Sequence, residues 1–214
     1  MKLSQAQKDL LSQLSTDDTK GLSTDETSSR RESSGFNVVD PPIKCPGWIC
    51  CLLPCIKHIP SMKAFRQIQP DDAEVLRNGK WIRYDATSLV KGDIIRLEEG
   101  DQVPADCVVL HLEDGCQELL VEHKSITGEE KPRSAKYDHE GSVQPTQLFW
   151  GAQVVQGRAI AVTTAIGQDT LVASLVREGR FPPSENVMVT CDSLSLMNDI
   201  DEEEGISLVT RDTL

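Results

Sequence analysis

Between residues 73 and 164 the apolar residues arrive in short runs, and turn chemistry stops each run before it can become a helix. Residues 73–77 meet Asn78-Gly79, and residues 80–84 follow at once. An Asn-Gly pair between two such runs predicts a tight hairpin, because both central residues of that turn need positive φ. Residues 93–98 alternate Ile and Leu with polar side chains and meet Glu99-Gly100-Asp101, the pattern of a half-buried strand. Residues 107–112 are almost continuously apolar, which predicts burial on both faces. Glu118–Glu122 reads as a further strand, and residues 149–156 and 159–164 as a strand pair around Gly157-Arg158. Helices are expected at the margins, over 62–68 before Pro70 and over 170–178, where Leu171, Leu175 and Val176 share helical spacing. Many short strands with few helices predict a mainly β domain.

The chain has 214 residues, room for one domain of ordinary size plus tails. A net charge of −12 and the lack of a basic patch argue against a nucleic-acid partner. No run approaches the roughly 18–20 apolar residues that span a bilayer. Met1-Lys2 is not followed by the apolar core of a secretory signal. A Gly-x-x-x-x-Gly-Lys-Ser/Thr phosphate loop is also missing, and no cofactor is expected.

The stretch with most chemical content is Ser125-Ile126-Thr127-Gly128-Glu129. Glycine lets the backbone turn tightly and pass close to another surface, and the carboxylate behind it can serve a water molecule as general base. Upstream lie Leu89-Val90-Lys91-Gly92-Asp93-Ile94-Ile95-Arg96-Leu97 and Gly100-Asp101-Gln102-Val103-Pro104-Ala105-Asp106. Downstream come Pro132, then Phe149-Trp150-Gly151-Ala152, then Ala165-Ile166-Gly167-Gln168-Asp169-Thr170. This ordered succession, over about residues 62–180, resembles the actuator domain of P-type cation-transporting ATPases. Gly115-Cys116 and Pro132-Arg133-Ser134 look most like the sodium/potassium-type branch.

The resemblance implies a distorted jelly roll over residues 61–181, with short flanking helices. It also implies roles for three residues, in trans or within a larger pump. Glu129 would orient and deprotonate the water that attacks an aspartyl phosphate on another domain. Gly128 would let the backbone pass the phosphate, and Thr127 would fix the loop or line that phosphate. The sequence departs from the family where Glu130 replaces the usual serine, and where Glu122-His123-Lys124-Ser125-Ile126 leads into the loop. Glu130 adds negative charge beside an anion, which Lys124 would partly offset. The family's Asp-Lys-Thr-Gly-Thr phosphorylation motif does not occur, so no autonomous ATPase activity is expected.

Outside that domain the reading is compositional. Residues 1–42 combine a short amphipathic helix, marked by Leu3, Gln7, Leu10, Leu11 and Leu14 and expected to fray, with a polar segment over 15–35 expected to be disordered. Within it, Arg30-Arg31-Glu32-Ser33 resembles a basophilic kinase site. Residues 43–60 carry Cys45, Cys50, Cys51 and Cys55 beside Trp48 and several Leu and Ile residues. Acylation of these four thiols for peripheral membrane contact is one reading. A hydrophobic strap, or the remnant of a membrane hairpin, is another. A structural metal fits poorly, because Cys50 and Cys51 are adjacent and spaced Cys-x-x-Cys pairs are missing. Residues 182–214 read as an acidic, disordered tail.

Three functional readings stay open. The chain is a regulatory or binding module, cytoplasmic or at the cytoplasmic face of a membrane, that docks on a P-type ATPase or its phosphorylation domain. Alternatively it lends its Thr-Gly-Glu loop to such a partner in trans, or it is a fragment of a complete transporter.

Overall fold

The alternating runs become strands of two antiparallel sheets. The computed structural model describes residues 3–44, 59–113, 115–139 and 141–183. The chain opens with two helices, α1 (Gln5–Gln13) and α2 (Thr24–Ser34), and α3 (Pro60–Gln67) leads into the body. Then come β1 (Asp72–Arg77), β2 (Lys80–Asp85), β3 (Ile94–Leu97), β4 (Asp106–Leu112) and β5 (Glu118–Glu122). One helical turn, α4 (Lys124–Thr127), precedes β6 (Arg133–Lys136), β7 (Gln147–Leu148), β8 (Gln153–Gln156) and β9 (Ala159–Ala165). Helix α5 (Leu171–Arg177) follows. The large sheet has the order β2-β1-β3-β9-β4-β7 and the small one β6-β5-β8. The result is mainly β, as an actuator-like jelly roll requires.

Both sheets face one core. Val75, Ile95, Leu97 and Val109 of the large sheet pack in the same cluster as Leu119, Val121 and Val154 of the small one. Phe65 of α3 stacks on Trp150 at 5.6 Å between centroids and meets Phe181 edge-on at 6.2 Å. Asn78 and Gly79 turn the β1–β2 hairpin with φ of 50° and 72°, as the Asn-Gly signal requires. Two buried carboxylates tie loops to strands. Asp93 pairs with Arg77 and accepts the Val90 N–H at 2.8 Å. Asp106 accepts the Trp150 N–H at 2.8 Å and the Leu171 N–H at 2.7 Å, so it joins β4 to α5. Burial pushes the Asp106 carboxyl up to about 7 against the pull of those two N–H groups.

Three expectations need correction. Residues 15–35 are not disordered: α2 lies there, opened by a reciprocal Ser23–Glu26 capping box and closed at Gly35, with φ 75°. Its arginines bond to the body, Arg30 to the Lys91 carbonyl at 2.7 Å and Arg31 to the Ser88 carbonyl at 2.7 Å. The side chains that would recruit a kinase to Ser33 are therefore occupied. Nor does α1 fray. Leu3, Leu11 and Leu14 cover Leu110 and Val162 on the outer face of the large sheet. The fully buried Gln7 amide donates to the carbonyls of Val109, Leu110 and Val143 at 3.0–3.1 Å.

The third correction concerns the strands around Gly157. β8 and β9 do not pair. β8 joins β5 in the small sheet, whereas β9 lies between β3 and β4 in the large one. The chain changes sheets at Gly157, where φ is 91° and a Cβ would run into the Glu118 carbonyl, so only glycine passes there.

Candidate functional site

The Thr-Gly-Glu stretch lies in the connection between β5 and β6. These strands pair with Val121 opposite Arg133, which plants Arg133 at the root of the loop. α4 carries the chain around its first half. Ile126, fully buried, anchors this turn in the core. The Thr127 hydroxyl, also buried, donates to the His123 carbonyl at 3.3 Å, and the Thr127 N–H donates to the same oxygen at 2.9 Å. Gly128 then takes the left-handed conformation, φ 77° and ψ 4°, and its N–H closes the turn on the Lys124 carbonyl at 3.1 Å. That conformation favours glycine, so the middle residue of the motif has a backbone reason to be there.

Glu129 emerges from this turn with both carboxylate oxygens engaged. Arg133 reaches them with Nη2 at 2.7 Å and Nε at 3.0 Å. The two side chains are 20% and 19% exposed, so the pair sits at the protein surface without being fully solvated. The Arg133 guanidinium holds the Glu129 carboxyl below the usual glutamate range, against a smaller upward push from burial. Glu129 is therefore ionised at neutral pH and a weaker base than a free glutamate.

Behind the pair lies a layered support. The Arg133 guanidinium carbon stands 4.8 Å from the centre of the Phe149 ring, and its Nη1 donates to the Gln147 carbonyl at 3.0 Å. His123 meets the same ring edge-on at 5.6 Å. Its Nδ1 lies 3.2 Å from the Val121 carbonyl and donates to it, while its buried Nε2 has no partner among the described residues. Burial, with Arg133 nearby, pushes the His123 imidazole down to about 4. It is neutral at pH 7 and serves as packing beneath the guanidinium.

Thr127, Gly128 and Glu129 thus come together on one loop. Glu130 and Lys124 are both exposed on it. The four thiols Cys45, Cys50, Cys51 and Cys55 lie outside the described residues, as does the acidic tail beyond residue 183. Sequence reasoning passed over Arg133 as a partner of Glu129, although the spacing of four residues was visible. Among the described residues no group of His, Cys, Asp and Glu could hold a metal ion, and no helix is long and apolar enough to cross a membrane.

Known proteins share this arrangement of sequence. A family model described as the P-type ATPase actuator domain matches residues 67–179, and one described as the cation transporter/ATPase N-terminus matches residues 4–58. The chain is 33% identical over 117 residues to a sodium/potassium-transporting ATPase subunit alpha of Hydra vulgaris, covering 53% of this chain and 11% of that protein. It is 32% identical over 130 residues to the human alpha-2 subunit, covering 56% and 12%. With the endoplasmic reticulum-type calcium-transporting ATPase 2 of Arabidopsis thaliana it is 35% identical over 125 residues, covering 55% and 12%. The match therefore spans about a tenth of the length of these relatives. Among solved structures, a zinc-transporting PIB-type ATPase in its E2·Pi state aligns with a TM-score of 0.44 and 20% identity, covering 62% of this chain and 20% of that one.

Proposed function

The chain belongs to the P-type ATPase actuator-domain family, and from that premise we propose that it works as a docking module. Its Thr127–Gly128–Glu129 loop presses against the phosphorylated domain of a cation-transporting P-type ATPase, on the cytoplasmic side of a membrane. In this reading it regulates the partner and does not turn it over. The observation that carries it is the occupied carboxylate. Both oxygens of Glu129 are held by Arg133, with the carboxyl below its usual range, and a general base needs an accessible, basic oxygen. Membrane attachment through Cys45, Cys50, Cys51 and Cys55 belongs to the same proposal, and palmitate labelling tests it.

A second reading, hydrolysis in trans or within a larger pump, is favoured by the motif itself. Thr127, Gly128 and Glu129 are all in place, and the side chain of Glu129 is 20% exposed. One experiment separates the two. The decay of the aspartyl phosphate of a sodium/potassium-type pump is followed with the wild-type chain and with Glu129→Gln. An amide of the same shape cannot take the proton, whereas a docking surface tolerates the change at a cost of no more than about 1 kcal/mol. With each protein at saturating concentration, equal effects on the decay are expected. Acceleration by the wild type alone, lost in Glu129→Gln, would establish catalysis and overturn the regulatory reading.

A further inference from the structure

We propose that Arg133 is the receptor for a phosphoryl oxyanion brought to the loop, and that Glu129 occupies this receptor until the anion displaces it. The proposal rests on the docking reading and names the chemistry by which the loop would distinguish a phosphorylated partner from an unphosphorylated one.

A guanidinium presents a planar fork of N–H donors that fits carboxylate and phosphate oxygens in the same two-pronged geometry. Arg133 offers that fork, Nε and Nη2, to Glu129 at 3.0 and 2.7 Å. The orientation of the fork does not depend on Glu129 alone. Nη1 is fastened to the Gln147 carbonyl at 3.0 Å, and the guanidinium lies 4.8 Å from the centre of the Phe149 ring. Phe149 is itself buried and braced by His123. If the carboxylate swings away, the two donors stay oriented by Gln147 and Phe149, so an incoming anion finds them already organised.

Position favours the exchange. The pair is about one-fifth exposed, enough for an anion to arrive from solvent, and Glu129 directly follows the left-handed Gly128 that caps α4. Lys124 and Lys131 are exposed on either side of Glu129 in the chain. With Arg133 they outnumber the carboxylates of Glu129 and Glu130, whose charge otherwise argues against an anion here. A doubly charged phosphoryl group outbids a single carboxylate for the same fork when it is held close by a docked partner.

The test uses the full chain with labelled arginine and glutamate side chains, followed by NMR at constant ionic strength. Inorganic phosphate should shift the Arg133 Nε–H saturably, while the Glu129 carboxyl moves up toward the ordinary glutamate range. Glu129→Gln should tighten phosphate binding by about tenfold, because the competing charge-assisted bonds are gone. Glu130→Gln removes the same charge without opening the fork and should tighten binding less. Read through the backbone amides of Gly128 and Glu129, which every variant keeps, Arg133→Gln should abolish phosphate binding, and Arg133→Lys should keep weaker binding, since an ammonium lacks the fork. Acetyl phosphate, titrated in parallel, identifies the source: tighter binding than inorganic phosphate assigns the site to an acyl phosphate, equal binding to free phosphate. No saturable shift of Arg133 in either the wild type or Glu129→Gln would overturn the proposal, as would equal tightening by Glu129→Gln and Glu130→Gln. A chain that binds phosphate in this way yet fails to act on any pump overturns the docking reading alone.

Discussion

Glu129 has the same side chain as any glutamate, but a neighbour four positions along sets its basicity. A buried counterpart shows how strongly such pairing acts when solvent is removed. Asp93 is fully buried, and Arg77 beside it is 5% exposed. Arg77 also donates to the Ser88 carbonyl at 3.2 Å and stands 4.8 Å from the centre of the Tyr84 ring. Replacing Asp93 by alanine strands the guanidinium and the Val90 N–H in the interior. The expected loss is about 3–5 kcal/mol, the cost of a buried charge without its partner. Urea denaturation of Asp93→Ala measures it. A loss under about 1 kcal/mol would mean that Arg77 finds another acceptor. The Glu129–Arg133 pair, at the surface, contributes far less to stability because solvent screens it.

At the scale of elements, the N-terminal helices are bound to the sheet by polar contacts. α1 covers Leu110 and Val162 with three leucines, yet its specificity comes from Gln7, whose amide serves three carbonyls of the body. Asn37 does the same further along. It donates to the Ala86 and Pro104 carbonyls at 2.9 and 2.7 Å and accepts the Gly167 N–H at 2.8 Å. Gln7→Ala should cost about 1–3 kcal/mol, because it leaves buried acceptors unserved. The exposed Gln5→Ala should stay within about 0.5 kcal/mol of the wild type. Hydrogen exchange at Leu110 should quicken in the Gln7 variant. Unchanged exchange there would mean that the leucines alone hold α1 in place. A sequence signal for this region existed and was not used. Ser4-x-x-Gln7 and Ser23-x-x-Glu26 are both capping boxes, and each marks a helix start. Composition spoke louder than the cap, because α2 offers almost nothing apolar to bury.

For the whole molecule, two buried groups pull the pH dependence in opposite directions. The folded-state value of His123 is lowered to about 4, so its contribution is present above its ordinary value of 6.5 and is lost as pH falls toward 4. The value of Asp106 is raised to about 7, so its contribution is present below 3.8 and is lost as pH rises through 7. Between pH 5 and 7 the two offset one another, each on the order of 1–2 kcal/mol. Relative to the wild type, His123→Gln should gain stability on going from pH 7 to pH 5, and Asp106→Asn should lose it. Denaturation curves at the two pH values give both differences. Identical pH profiles for all three proteins would show that neither group changes its protonation on unfolding.

What the sequence by itself determined is what local chemistry can decide. The β1–β2 hairpin follows from two residues that accept positive φ, Asn78 and Gly79. Strand β5 and helix α5 follow from the spacing of their apolar residues. The order of motif blocks was enough to indicate the actuator family. Partner choice needed the tertiary structure. β8 and β9 are neighbours in sequence, but each joins a different sheet, and Gly157 lets the chain cross between them. Gln7, Arg30 and Asn37 find carbonyl partners at least 15 positions away, beyond the reach of any local pattern. The state of Glu129 also belongs to this class. Its spacing from Arg133 was visible, but a pair four apart meets only if the backbone between them turns, and the β5–β6 register together with Phe149 beneath the guanidinium makes it do so. Hydrogen bonds and ion pairs between distant segments leave no periodic trace in a sequence, because their energy depends on geometry that only the packed core supplies.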